Sequence, residues 1–75
     1  MAKYKPQHSR LLFIDRMIRE KRFPSCSTLA EGWEVSISTI QRDLDYMRYE
    51  LDAPIEYSAK ERGYYYTEEQ YQLPA

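Results

Sequence analysis

Seventy-five residues, 43% apolar and 15% aromatic, make one small domain with a core, which excludes a disordered tail. Lysine and arginine number 11 and aspartate and glutamate 12, so the formal net charge of −1 argues, on composition alone, against a nucleic-acid partner. No apolar run reaches the roughly 18 residues of a membrane span, no signal-type stretch follows the basic start, and Cys26 has no second cysteine to pair with, so a cytoplasmic chain without a membrane partner is expected.

The charge is unevenly spread. Residues 1–24 hold seven bases against two acids, a balance of +5, and residues 25–75 hold four bases against ten acids, a balance of −6. In the basic part, Ser9 is placed to cap a first helix whose apolar stripe is Leu11, Ile14 and Ile18, widened by Met17. Arg16, Arg19 and Lys21 fall largely off the stripe and make its outer side basic. Phe23-Pro24 ends the helix, because a residue before proline avoids the α region.

Ser25 or Ser27 caps a short second helix with Leu29, Ala30 and Trp33 on its apolar side, and Cys26 reads as a small buried or half-buried residue there. Glu34-Val35-Ser36 is a tight turn. Ser36 caps a third helix to about Leu51, whose apolar positions Ile37, Ile40, Leu44, Met47 and Leu51 alternate in steps of three and four. The opposite side carries Ser38, Arg42, Asp45 and Tyr49, flanked by Thr39 and Tyr46. Ala53-Pro54 breaks the helix. Ile55-Glu56-Tyr57 and Tyr64-Tyr65-Tyr66-Thr67 are two short strands, and the polar link Ser58 to Gly63 has a glycine suited to positive φ. Ile55, Tyr57 and either Tyr65 or the Tyr64/Tyr66 pair are the candidates to face the helices. Residues 68–75 show no periodicity and read as a linker.

Helix, helix, tight turn, helix and hairpin is the plan of a winged helix-turn-helix, mainly α with a two-stranded wing. Its expected span is 8–67, with 1–7 as a basic arm and 68–75 as the start of a linker. In such a fold the third helix, about 36–51, enters the major groove, and the wing, 58–63, meets the adjacent backbone or minor groove. The residues placed to do this are Ser36, Ser38, Thr39, Gln41, Arg42 and Tyr46 on the helix and Lys60 and Arg62 on the wing. Glutamine pairs with adenine and arginine with guanine, and the wing cations suit phosphates.

Simpler readings stand beside these. Arg42 has Asp43 and Asp45 as possible surface partners, Lys60 and Arg62 can merely solvate a loop, and the tyrosine run suits core packing better than base stacking. His8 reads as an exposed residue near the helix start. No nucleophile–base pair, metal constellation or glycine-rich phosphate loop is present, so neither an enzyme nor a cofactor or metal site is expected. A winged-helix protein-interaction module, using Phe13, Tyr46 and Tyr49, is the alternative to DNA binding.

The stretches Leu29-Ala30-Glu31, Val35-Ser36, Ser38 to Leu44, Ala53 to Tyr57 and Gly63 to Glu68 resemble the N-terminal domain of bacterial WYL-domain transcriptional regulators, relatives of the DeoR-type repressors. The likeness spans roughly residues 8–75, and Gln72 to Ala75 resembles the linker to the family's ligand-sensing domain. It implies sequence-specific double-stranded DNA binding, transcription regulation and a homodimer of the intact protein. Three positions depart from the pattern. Ile37 and Ser38 stand where the family often has arginine or lysine, which leaves Ile37 for the core or a thymine methyl. Glu34 stands where glycine with positive φ is common, at a cost of about 1 kcal/mol. Asp45 on the exposed side repels phosphates unless Arg42 or Arg48 pairs with it.

Overall fold

The structure, a computed structural model, describes residues 7–74. In chain order it has α1 (Gln7–Arg19), α2 (Cys26–Trp33), α3 (Ile37–Glu50), β1 (Ile55–Ser58) and β2 (Gly63–Tyr66). The basic arm expected over residues 1–7 lies, except for Gln7, outside the described residues.

Leu11, Ile14 and Ile18 are buried as their spacing predicts. The ends of α1 differ from expectation. The helix is already formed at Gln7, so Ser9 lies inside it and is not its cap. At the other end it stops at Arg19, ahead of Phe23-Pro24. Lys21 turns left-handed at φ 60, and the Arg22 and Lys21 amides donate back to the carbonyls of Met17 and Ile18 at 3.3 and 2.9 Å. This is a Schellman closure made without glycine.

Ser25, not Ser27, caps α2, its Oγ accepting from the Thr28 amide at 3.1 Å. The helix ends in the same closure. Glu34 is left-handed at φ 56, and Val35 and Glu34 donate to Ala30 and Glu31. Two residues later Ser36 caps α3 by accepting from the Thr39 amide at 3.1 Å. Back-to-back capping of this kind makes the turn between the two helices short and stiff.

Ile40, Leu44 and Met47 carry α3 into the core, joined by Asp43. Ile37 does not join them. It stands at the first position of α3, ahead of that layer, and is 48% exposed.

The strands pair antiparallel, Ile55 opposite Tyr66 and Tyr57 opposite Tyr64. The Tyr64/Tyr66 pair therefore shares a face with Ile55 and Tyr57. Ile55 and Tyr66 are buried in the core, which also takes Ala53. Tyr57 is not; the short ribbon carries it past the helices, where it packs edge-on against Tyr64 at 5.2 Å and stays exposed. Tyr65 points to the other face and meets Phe23 at 6.2 Å.

Gly63 does not supply the positive φ of the link; Arg62 does, at φ 60. The glycine is needed for another reason. A Cβ there would collide with the Phe23 carbonyl, because the 23–24 segment lies against the start of β2 and Pro24 accepts from the Tyr64 amide at 2.9 Å. After β2 the chain packs back on the core through Tyr71 and Leu73, and the Tyr71 hydroxyl donates to the Leu51 carbonyl at 2.8 Å. Three helices followed by a two-stranded antiparallel wing are a winged helix-turn-helix.

Candidate nucleic-acid interface

On α3 the core stripe sets what faces outward. Ile40, Leu44 and Met47 are buried, and the opposite side presents Ser38, Arg42, Asp45 and Tyr49, all exposed, with Gln41 and Tyr46 beside them. Ser36 and Thr39 are engaged differently. Their hydroxyls lie 3.0 Å apart and Ser36 holds the cap, so both are committed first to starting the helix.

The charges sort themselves by region. At the end of α1, Arg19 pairs with Asp15 at 2.7 Å, Lys21 with Glu69 at 2.6 Å and Arg22 with Glu20 at 2.8 Å. Of the basic face expected on this helix, only Arg16 carries no ion pair among the described residues. On α3, both acids that stood as possible partners of Arg42 are taken by others. Asp43 is buried and held by Arg10, and Asp45 accepts from Arg48 Nη1 at 3.3 Å. Arg42 is exposed and makes no ion pair or side-chain hydrogen bond among the described residues, and the same holds for Lys60 and Arg62 at the wing tip. The wing tip is shaped by Ser58, whose Oγ accepts from the Glu61 amide at 3.1 Å and whose carbonyl accepts from the Arg62 amide at 2.7 Å.

A further tie runs between helix and wing. Arg48 Nε donates to the Ile55 carbonyl at 3.3 Å, so α3 and β1 are joined directly below the exposed face. The hairpin is anchored on its other side by Tyr66, whose hydroxyl donates to Asp15 at 2.7 Å. Burial first, and that bond second, push the Tyr66 phenol well above its ordinary range. Burial likewise pushes Tyr64 up to about 12, helped by the Cys26 thiol 3.6 Å from its hydroxyl. Both tyrosines are thus packing groups, and Cys26 is half-buried beside them.

The expected site residues are therefore brought to the exposed side of α3 and the wing tip, with Ser36 and Thr39 serving the cap. Sequence reasoning missed Asp43, whose position on the core stripe was taken for part of a polar flank. The available signal was angular, since Asp43 lies between Ile40 and Met47 on the helical wheel. Among the described residues no cluster of histidine, cysteine and carboxylates could hold a metal ion, and no helix is long and apolar enough to cross a membrane.

No protein-family profile matches the chain, and no curated protein or solved structure matches it at a significant level.

Proposed function

We propose that this chain binds double-stranded DNA in a sequence-specific manner. In this reading it is the N-terminal domain of a bacterial WYL-type transcriptional regulator that acts as a homodimer when intact. Helix α3 enters the major groove, with Arg42 and Gln41 facing base edges and Ser38 and Tyr46 beside them. Lys60 and Arg62 meet the phosphate backbone from the wing. One observation carries the reading: Arg42, Lys60 and Arg62 make no ion pair among the described residues, while most other described cations do. An unpaired cation keeps its full attraction for phosphate, and a bidentate arginine–guanine pair adds about 1–3 kcal/mol of base discrimination.

The test is an NMR titration of the chain with generic duplex at low and moderate salt. Shifts confined to residues 36–46 and 58–63 that fade as salt rises support the reading. A second reading, a protein-interaction module, draws on a groove of about 360 Å³ between α1 and α2, lined by Leu12, Phe13, Arg16 and Trp33. Leu12 is 48% exposed there. An absence of shifts with duplex at low salt favours that module and contradicts DNA binding.

A further inference from the structure

Asp43 sits one residue from Arg42 yet faces the opposite way, with its side chain 2% exposed. Three donors from the first turn of α1 converge on it. Arg10 Nε reaches Oδ2 at 2.6 Å, Arg10 Nη2 reaches Oδ1 at 3.0 Å, and Gln7 Nε2 reaches Oδ1 at 3.3 Å. The guanidinium therefore grips the carboxylate with both arms, and Arg10 is itself largely buried, at 13% exposure.

The rest of the seat under α3 is apolar: Ile40, Leu44 and Met47 among Leu11, Ile14, Ile18 and Leu29. Apolar contact is non-directional and tolerates a small roll of the helix about its axis. A two-armed guanidinium–carboxylate pair does not, because it fixes both distance and plane. A roll of about 15° carries a side-chain tip some 6 Å from the axis through about 1.5 Å. Base-edge hydrogen bonds need placement within about 0.5 Å.

We propose that Gln7, Arg10 and Asp43 are positioning residues for DNA recognition: the buried grip sets the roll of α3, and with it the base step that Arg42 and Gln41 address. The inference rests on the DNA-binding reading for its consequence but not for its geometry. The first turn of α1 thereby governs sequence choice without touching a base.

Two measurements test it. In the free chain, residual dipolar couplings report the orientation of α3 relative to α1 and the wing. Asp43→Asn and Arg10→Met should each change that orientation by about 10° or more while the chain stays folded. With DNA, the readout is the ratio of affinities for the duplex this chain selects from a random library and for a shuffled duplex of equal composition. Measured below the melting transition, that ratio should fall about tenfold, with affinity for the shuffled duplex unchanged within about twofold. The apolar pair Arg10→Met with Asp43→Leu separates positioning from stability. It should recover the melting temperature, since buried ion pairs are replaceable by packing, but not the ratio. Unchanged couplings in Asp43→Asn, or recovery of the ratio by the apolar pair, would overturn the proposal. If the wild-type chain prefers no duplex, the DNA reading fails, and the couplings alone decide the positioning claim.

Discussion

Around the C-terminal end of α1, Arg19, Lys21 and Arg22 each meet a carboxylate at 2.6–2.8 Å. Across the molecule, Arg42, Lys60 and Arg62 meet none among the described residues. By composition the first region is the basic one and the second lies in an acidic stretch. The folded charges reverse that order. The α1 end spends its cations on Asp15, Glu20 and Glu69. On the α3 side, the acids that could quench Arg42 are drawn away, Asp43 inward to Arg10 and Asp45 along the helix to Arg48. The lesson is that a partner for a charged surface is read from which charges remain unpaired, not from how many a segment holds.

If paired charges are structural and unpaired ones are not, the costs of removing them must differ, and they must rank by burial. The largest effect falls on the buried pair. Asp43→Ala leaves the Arg10 guanidinium without its two-armed partner and should cost about 3–5 kcal/mol in urea unfolding. Next is the joint between the regions, where β2 starts against the Phe23 carbonyl. Gly63→Ala should cost about 3 kcal/mol by the same measurement, because the obstacle is backbone and cannot swing aside.

Tyr66→Phe removes the hydroxyl bond to Asp15 and should cost about 1–2 kcal/mol. It also carries a pH signature. The folded phenol holds its proton to higher pH than the unfolded one, so above about pH 10 the folded state binds more protons and stability falls as pH rises. Below pH 10 that contribution is intact. Melting curves from pH 8 to 11 should show an alkaline loss that is shallower in Tyr66→Phe. The smallest effect belongs to Lys21→Ala: Lys21 and Glu69 are both exposed, and the melting temperature should not change.

The ranking also marks what could be read without coordinates. The three helices, the Ser36 cap, the strained Glu34 and the wing follow from local rules of period, capping and turn chemistry, each acting over a few residues. The ends of α1 and the role of Gly63 did not follow, because Lys21 and Arg62 took the left-handed positions usually given to glycine. Gly63 instead answers to a chain segment some forty residues earlier. Asp43 was misplaced for a similar reason. A carboxylate on a core stripe is tolerable only beside a cation, and its cation, Arg10, lies on another helix. The site residues were legible as positions on α3 and the wing. The freedom of Arg42 was not, since it depends on where Asp43 and Asp45 find their partners.

The central claim is that the unpaired cations of α3 and the wing, rather than the paired cations of α1, form the DNA-contacting surface. The most direct test compares the salt dependence of duplex binding in two triple variants. For Arg42→Ala with Lys60→Ala and Arg62→Ala, the slope of log affinity against log salt should flatten by about 2.7, or about 0.9 for each lost phosphate contact. For Arg19→Ala with Lys21→Ala and Arg22→Ala the slope should stay as in the wild type. A flattened slope in the α1 variant, with the α3–wing variant unchanged, would contradict the account.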